Sequence, residues 1–359
     1  MTDCPLIALA LGDPAGIGLE LAIKALSDEE TAEAADFLVI GDRRHWDEGV
    51  AQAGTDLPIA DFYTGAFERR AFLDLAHANT DNITVGEASE AGGRTACANF
   101  RAALKLAAAG GADAVCFTPF NKAAMRMAEA DYVDEIGFVQ RAIDTDVHGS
   151  EFNVLDEVWN ARVTSHIPLS EVASALDQAR IERAIKLTHD TMEGAGIAAP
   201  KIGVAALNPH AGDGGNFGRE DDEIILPAVE AMARKQYRVT GPVPSDTAYV
   251  RALKGEFDAV LTMYHDQGQI AIKLIGFDRG VTLIGGYPFW IATPAHGTAY
   301  DIAGQGIAHP GATINALRLA ARLCKRDNPD GFPEPHERLS AASDVARDTL
   351  AAKNVAGLS

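Results

Sequence analysis

The stretch Leu261-Thr-Met-Tyr-His-Asp-Gln-Gly-Gln-Ile-Ala-Ile-Lys273 joins a buried strand to a group of reactive side chains. Its apolar, β-prone start predicts a strand that ends just before His265. Strands of an α/β sheet commonly deliver reactive groups just past their carboxyl ends. Here those groups include His265 and Asp266, after which Gly268 predicts a turn and Lys273 follows where the apolar pattern resumes. The stretch predicts a metal and substrate site, with a polar surface loop as the alternative.

Composition sets the class of protein around this stretch. The chain has 359 residues, enough for about two domains, and 47% hydrophobic residues supply a buried core. The net charge of −20 repels phosphate backbones and anionic lipids, so we expect neither a nucleic acid nor a membrane partner. An anionic substrate would therefore need a local cationic group, such as a metal ion.

Cysteine usage and hydropathy indicate a reducing, cytoplasmic setting. The four cysteines show no Cys-x-x-Cys spacing, which argues against a disulfide framework and a zinc ribbon. No basic segment precedes the first apolar run, as a signal peptide would require. The chain also lacks the roughly 18 consecutive apolar residues typical of a membrane span.

Strand and helix patterns alternate along the chain. This alternation predicts an α/β fold with largely parallel sheets. The predicted strands cover residues 5–11, 37–40, 114–117, 161–164, 201–207 and 281–292. The clearest predicted helices cover residues 90–109, 169–194, 220–235 and 310–325.

Three predicted strands are each followed closely by a histidine: His166, His210 and His265. Parallel strands end at one edge of a sheet, so we expect the three imidazoles to converge there. Three neutral nitrogens with an open position are typical of a catalytic metal site, usually zinc. Asp246 and Asp266 are the candidate carboxylates that would orient these ligands. The alternative is three unrelated loop histidines.

Two glycine-rich loops are candidates for cofactor binding. Gly12-Asp-Pro-Ala-Gly-Ile-Gly18 lies between a strand and a helix, where a helix N-terminus can meet an anion. It lacks the G-x-G-x-x-G spacing of a dinucleotide-binding Rossmann motif. The segment from His296 to Gly306 combines a histidine, an acid and glycines that suit an adenosine. Both loops also have an interpretation as plain turns. The predicted cofactor-binding residues are Gly12, Asp13, His296, Gly297, Thr298 and Asp301.

Several longer motifs, in order from residue 6 to about 325, resemble those of the 4-hydroxythreonine-4-phosphate dehydrogenase family. The resemblance implies a two-domain fold like that of isocitrate and isopropylmalate dehydrogenases. It also implies NAD, a divalent metal and a homodimer with its active site at the interface. The motifs are Gly12-Asp-Pro-Ala-Gly-Ile-Gly18, Asn208-Pro-His-Ala-Gly212, Gly241-Pro-Val-Pro-Ser-Asp-Thr247, Met263-Tyr-His-Asp-Gln-Gly268 and His296-Gly-Thr-Ala299.

The resemblance also assigns residues and domains. It matches the three metal ligands of the family to His166, His210 and His265, and its substrate lysine to Lys273. Zinc is the expected metal, with magnesium, manganese and cobalt as alternatives. We expect a discontinuous cofactor-side domain over residues 1–130 and 280–359. Residues 131–279 would form the central metal, substrate and dimerisation domain.

At other motif positions the chain departs from the family pattern. The substrate-binding His-Thr pair is replaced by Gly149 and Ser150, the substrate asparagine by Thr282, and an arginine by Ile291. An apolar side chain cannot replace a guanidinium as a phosphate partner. The pattern from His265 onward is also similar to relatives that oxidise cis-dihydrodiol carboxylates, such as the dihydrodiol of terephthalate. The substrate pocket is therefore predicted to be rebuilt for a non-phosphorylated compound.

Together these patterns predict an NAD- and metal-dependent dehydrogenase that oxidises a hydroxyl β to a carboxylate. The metal would lower the pKa of the hydroxyl, and the β-keto acid would then lose CO2. Lys273 would orient the carboxylate or relay a proton, beside Asp246 and Asp266. The main alternative is 4-hydroxythreonine-4-phosphate dehydrogenase activity in pyridoxal phosphate biosynthesis. More distant alternatives are a zinc hydrolase that uses the same histidines and a non-catalytic dimer.

Overall fold

The computed structural model describes residues 2–62, 69–76, 83–147 and 149–338 of the chain. The chain divides into two compact units. Unit 1 comprises Met1–His148 and Tyr287–Ser359, and unit 2 comprises Gly149–Gly286. The boundaries between the units follow His148 and Gly286, later in the chain than the expected boundaries at residues 130 and 280. His148, the first residue of the motif His148-Gly-Ser-Glu-Phe152, lies outside the described residues, as does nearly all of the last 25 residues.

Among its described residues, unit 1 contains a parallel sheet of six strands. Their order is β3-β4-β2-β1-β5-β12, and every neighbouring pair runs in parallel. The central strands are buried along their whole length, as expected for a sheet covered on both faces. Numbered along the whole chain, these strands are β1 Leu6–Ala10, β2 Asp36–Gly41, β3 Ala60–Asp61, β4 Arg70–Asp74, β5 Ala114–Phe117 and β12 Trp290–Pro294.

Several helices of unit 1 begin at polar residues that cap their first turn. Ser89 caps α4 by accepting from the Gly92 N–H, and Asp134 caps α6 by accepting from the Gly137 N–H. In α4, a Cβ on Gly93 would lie 2.0 Å from the Ala124 carbonyl oxygen, so only glycine permits this helix contact. The helices are α1 Gly18–Leu26, α2 Glu29–Ala34, α3 Arg43–Ala53, α4 Glu90–Ala108, α5 Lys122–Ala128, α6 Glu135–Ile143 and α12 Gly311–Asp327.

Unit 2 contains a mixed set of six strands in the order β11-β6-β7-β10-β8-β9. The pairs β11–β6 and β6–β7 are antiparallel, whereas β7–β10, β10–β8 and β8–β9 are parallel. The run expected as one strand over residues 281–292 is two strands, separated by the turn that holds Gly286. The strands are β6 Ser150–Val154, β7 Trp159–Arg162, β8 Ile202–Ala205, β9 Val239–Val243, β10 Ala259–Thr262 and β11 Val281–Gly285.

Helical segments of unit 2 are more broken than the sequence pattern predicts. The expected helix over residues 169–194 is interrupted, because Asp177 caps a new helix by accepting from the Arg180 N–H. The expected helix over 220–235 begins with a π-helical turn, Asp221–Ile225, and a 3₁₀ turn covers Pro209–Gly212. The α-helices are α7 Val172–Ala175, α8 Gln178–Gly194, α9 Leu226–Arg234, α10 Ser245–Ala252 and α11 His265–Gly276.

The predicted fold class, α/β with largely parallel sheets, is confirmed in both units. In the part of the chain that the structure describes, no helix is both long enough and apolar enough to cross a membrane.

Candidate functional site

The three histidine-bearing strands are neighbours in unit 2. Strand β10 lies between β7 and β8, and all three run in parallel. Their carboxyl ends therefore lie at the same edge of the sheet. His166 follows β7 by four residues, His265 follows β10 by three, and His210 follows β8 by five. The topology thus brings all three candidate ligands to one edge, as the strand-then-histidine pattern predicts.

His265 is the first residue of α11, not part of an extended loop. The expected turn at Gly268 is wrong, because this glycine lies within the helix. A Cβ there would lie 2.4 Å from both Asn160 side-chain amide atoms, so its role is close packing under the helix. Asp266 Oδ1 lies 2.7 Å from His265 Nδ1, which leaves Nε2 as the nitrogen available to a ligand.

His166 and His265 lie side by side, with ring centroids 5.6 Å apart. His166 is exposed and His265 is partly exposed, so both rings border solvent. Two imidazoles, one of them oriented by a carboxylate, are the donor chemistry that zinc and related divalent metals prefer. Within the described ranges of one chain, however, no three His, Cys, Asp or Glu side chains form a group able to hold a metal ion. His210 therefore does not complete the pair within a single copy.

His210 lies on a left-handed turn. Residues His210, Ala211 and Asp213 have φ values of 52°, 55° and 45°, and Gly212 between them has a φ of 81°. Each non-glycine residue in this region costs about 1–2 kcal/mol. Strain of this kind persists where surrounding contacts enforce it, and it is common at functional sites. The turn leaves His210 exposed, beside the ring of Phe217 at a centroid distance of 6.2 Å.

Gln267 ties the histidine-bearing strand ends together. Its Oε1 accepts from the Met263 N–H at 2.6 Å, and its Nε2 donates to the Ala206 carbonyl at 2.7 Å. The same nitrogen donates to Ser245 Oγ at 2.9 Å, and that hydroxyl donates to the Ala206 carbonyl at 2.7 Å. These contacts join the ends of β10 and β8 to the start of α10. Asp246, predicted beside Asp266 as an orienting carboxylate, is exposed in the first turn of α10.

The predicted substrate positions fall in different surroundings. Ser150 begins β6 and pairs with β11, directly after Gly149. Thr282 on β11 is partly exposed, and its Oγ1 lies 3.4 Å from the donating Asn153 Nδ2. Ile291 is 0% exposed in β12 of unit 1, next to β5. The structure therefore places Ile291 in the hydrophobic core, not at an exposed substrate-binding position.

Lys273 lies on α11, eight residues after His265, or about 12 Å along the helix axis. It is exposed, and no carboxylate in the described part of the chain forms an ion pair with it. Arg279, six residues later, is engaged: it donates to both carboxylate oxygens of Glu157 at 3.0 and 2.7 Å. Lys273 is thus an available positive charge on the helix that carries His265.

In unit 1, the two predicted cofactor loops contact each other. The Ile17 N–H donates to the Thr298 carbonyl at 3.1 Å, which joins the first glycine loop to the segment after β12. The Gly12 N–H donates to Thr118 Oγ1 at 2.7 Å. A Cβ on Gly12 would lie 2.3 Å from the carbonyls of Thr118 and Pro119, so the loop requires glycine there.

Asp13 is the buried link between these loops. It is 1% exposed, its Oδ1 accepts from the Ala15 N–H at 2.9 Å, and its Oδ2 accepts from the Tyr300 hydroxyl at 2.5 Å. Burial raises the pKa of Asp13, although both hydrogen bonds oppose the shift. Burial, together with Asp13, also raises the pKa of Tyr300. Asp13 therefore holds the loops in place, and any contribution it makes to cofactor binding acts through them.

The remaining predicted cofactor residues differ in exposure. Asp301 and Gly297 are exposed, His296 is partly exposed, and the Thr298 side chain is buried. Asp301 follows Tyr300 directly, so the link to Asp13 fixes the backbone that carries its carboxylate. Asp301 is thus an exposed acid of this loop.

A family model of known proteins covers most of the chain. The model described as "Pyridoxal phosphate biosynthetic protein PdxA" matches residues 33–320. The chain is also 55% identical over 327 residues to a protein of Rhizobium meliloti named putative 4-hydroxythreonine-4-phosphate dehydrogenase 2, covering 90% of this chain and 94% of the relative. It is 34% identical to D-threonate 4-phosphate dehydrogenase of Cupriavidus necator, covering 90% and 98%.

Solved structures agree with these matches. A 4-hydroxythreonine-4-phosphate dehydrogenase from Klebsiella pneumoniae has a TM-score of 0.77 and 32% identity, covering 89% of this chain and 99% of that one. A terephthalate 1,2-cis-dihydrodiol dehydrogenase from Burkholderia xenovorans LB400 has a TM-score of 0.62 and 28% identity, covering 89% and 98%. The predicted dehydrogenase class is confirmed by these relatives. From the family model and the 55% identity, the chain belongs to the family of the pyridoxal phosphate biosynthetic protein PdxA.

Proposed function

We propose that this chain is an NAD- and divalent-metal-dependent dehydrogenase of a 4-phosphorylated hydroxy acid, such as 4-hydroxythreonine 4-phosphate or D-threonate 4-phosphate. The observation that carries this proposal is the 55% identity over 90% of the chain to a protein named for the first compound. The second compound comes from a relative at 34% identity over the same share of the chain.

The comparisons favour this alternative over the non-phosphorylated substrate expected from the motif departures. That expectation rested on several replaced motif positions, among them Ile291 in place of an arginine, and Ile291 is completely buried in unit 1. The terephthalate dihydrodiol dehydrogenase is also less similar, at 28% identity against 55%. The comparisons give no support to the expected loss of CO2, so only oxidation of the alcohol is proposed.

The histidines and Asp266 suit the binding of a metal that acts on the substrate hydroxyl. When bound, such a metal polarises the hydroxyl and lowers its pKa, and NAD accepts the hydride. Asp266 keeps the His265 ring in the orientation that presents Nε2, through the 2.7 Å contact at Nδ1. Gln267 holds the ends of β8 and β10 against movement. Lys273 supplies a positive charge for an anionic group of the substrate.

We further propose that two copies of the chain share the metal site. His166 and His265 of one copy lie together, and His210 of the second copy supplies the third nitrogen. The exposed position of His210 on its turn, beside the 51% exposed Phe217, supports this arrangement. Helix α11 adds an apolar face for the second copy, since Ile270, Leu274 and Phe277 are 63%, 83% and 52% exposed. Large exposed apolar patches mark interaction surfaces.

The substrate proposal is tested by comparing kcat/KM for the two compound classes, with NAD and a divalent metal present. Each phosphorylated hydroxy acid is assayed beside its dephosphorylated form and beside a cis-dihydrodiol carboxylate. We expect a kcat/KM above about 10⁴ M⁻¹ s⁻¹ for at least one phosphorylated compound. A higher value for the dihydrodiol or the dephosphorylated acid would overturn the proposal.

Lys273→Ala tests the cation within the same assay. Loss of one charged partner to a buried anion costs about 2–5 kcal/mol, so kcat/KM should fall by about 30-fold or more. Lys254→Ala is the matched control, because Lys254 is another exposed lysine of unit 2. An equal, small effect of both substitutions would exclude Lys273 from substrate binding.

A further inference from the structure

One carboxylate in unit 2 is buried beside the loop that carries His210. Asp221 is 0% exposed, although it belongs to the acidic run Glu220-Asp-Asp-Glu223. Its neighbours Asp222 and Glu223 are exposed, as expected for such a run. Burial of a single acid from a charged run is costly unless its oxygens accept hydrogen bonds. The contacts of Asp221 therefore indicate what its burial achieves.

Asp221 accepts three hydrogen bonds from two consecutive residues. Its Oδ1 accepts from the Leu207 N–H at 2.8 Å, and its Oδ2 accepts from the Asn208 N–H at 3.0 Å. Oδ2 also accepts from Asn208 Nδ2 at 2.9 Å. Hydrogen bonds to a charged acceptor are about twice as strong as neutral ones. The carboxylate therefore fixes the backbone where the chain leaves β8, two residues before His210.

The other side of this segment is fixed as well. The Ala206 carbonyl accepts from Gln267 Nε2 and from Ser245 Oγ, so the strand end is held from both directions. Beyond it, Gly218 closes against the same asparagine, since a Cβ there would lie 2.6 Å from Asn208 Nδ2. The segment that contains the left-handed turn therefore begins at Asn208 and returns to contact it at Gly218. Both ends of the segment are held by this one anchored residue.

From this geometry we propose that Asp221 is a positioning residue for His210. Its buried carboxylate holds Leu207 and Asn208, and this hold keeps the strained turn in the conformation that presents the imidazole. The proposal rests on the proposed function, in which His210 binds a divalent metal. Asp221 itself does not touch the metal, the substrate or the cofactor.

The test compares Asp221→Asn with Asp222→Asn in the full-length protein. An asparagine retains one acceptor oxygen and places an amide donor against backbone N–H groups, so the hold on Asn208 is lost. Zn²⁺ affinity is measured by chelator competition, and amide hydrogen exchange at Leu207 and Asn208 is measured on the metal-free protein. For Asp221→Asn we expect 10- to 100-fold weaker Zn²⁺ binding, typical of groups behind a metal ligand, and faster exchange. For Asp222→Asn, wild-type values are expected in both measurements.

Asn208→Ala provides a second route if Asp221→Asn does not fold. It removes the hydrogen bonds of the side-chain amide to Asp221 and Glu220 but keeps the backbone N–H bond to Asp221, so a smaller loss of Zn²⁺ affinity, of several fold, is expected. Wild-type Zn²⁺ affinity in the folded variants would overturn the proposal. His210→Ala separates this failure from that of the proposed function. If His210→Ala weakens Zn²⁺ binding and Asp221→Asn does not, only the positioning role fails; if His210→Ala has no effect, the metal assignment of His210 fails.

Discussion

The two candidate regions of this molecule are built in opposite ways. The predicted cofactor loops of unit 1 contact each other within one chain, and Asp13 at their contact is 1% exposed with both oxygens hydrogen-bonded. The histidines of unit 2 instead lie past strand ends, where His166 and His210 are exposed. A loop that holds a large cofactor through its backbone benefits from a rigid, self-contained frame. Side chains that bind a metal must keep their nitrogens accessible, so rigidity comes from contacts behind them, such as those of Gln267.

The largest effect should come from removing a histidine. His265→Ala should reduce kcat/KM by about 10³-fold or more, because a bound metal contributes several kcal/mol to stabilising charge in the transition state. Zn²⁺ content should fall, while NAD binding measured by fluorescence should not change. His45→Ala, a partly exposed histidine of α3, is the control. Loss of NAD binding in His265→Ala would mean that the two regions do not act separately.

A smaller effect is expected on the cofactor side. Asp301→Ala removes a carboxylate that can accept from a ribose hydroxyl, a bond worth about 1.5–3 kcal/mol. KM for NAD should therefore rise by about 10- to 100-fold with little change in kcat, the result of losing uniform binding. Asp56→Ala serves as the control, because Asp56 is another exposed acid of unit 1. An unchanged KM for NAD would move the adenosine site away from this loop.

The smallest effect concerns the stability of unit 1, which carries the predicted cofactor loops. Burial raises the pKa of Asp36 in β2 to about 6, and Arg69 only partly opposes this shift. The folded state binds this proton more tightly than the unfolded state, so stability is highest below about pH 4 and declines as the pH rises to about 6. Asp36→Asn should therefore stabilise the folded state at pH 7, by at most about 3 kcal/mol of unfolding free energy, and so raise Tm relative to wild type. At pH 4 the substitution should have little effect on Tm.

Asp28 offers a control of opposite sign. Although burial raises its pKa, hydrogen bonds from Thr31 and Arg318 hold the pKa of Asp28 below its usual value. Its contribution to stability is present at neutral pH and is lost as the pH falls below about 4. Asp28→Asn should therefore lower Tm at pH 7. Equal Tm differences at pH 4 and pH 7 for both variants would contradict these assignments.

The edge of the sheet where the histidines lie could be predicted from sequence because strand and histidine occur in the same short pattern three times. The helix that begins at His265 could not. Asp266 and Gly268 are poor helix formers, so local preference indicated a loop. The helix forms because Gly268 fits against Asn160, which comes from β7 more than 100 positions earlier in the chain. Contacts of that range leave no local signal.

Asp221 illustrates the same limit from the other direction. Four consecutive acids indicate a solvated segment, and no local feature distinguishes the second from the third. Only the π-helical turn and the end of β8 decide which carboxylate turns inward. Ile291 shows a related limit: the resemblance matches its position to a substrate-binding arginine, whereas pairing of β12 with β5 buries it.

If two copies share the metal site as proposed, the apolar side chains of Ile270, Leu274 and Phe277 on α11 link catalysis to the amount of enzyme present. A metal site shared by two copies exists only while they are associated, so by mass action its occupancy falls when the protein is diluted. Turnover per molecule would then decline below the concentration at which half the copies are paired. In a cell that makes little of this protein, activity would fall more steeply than the abundance of the protein. Appreciable activity would then require expression above a threshold concentration.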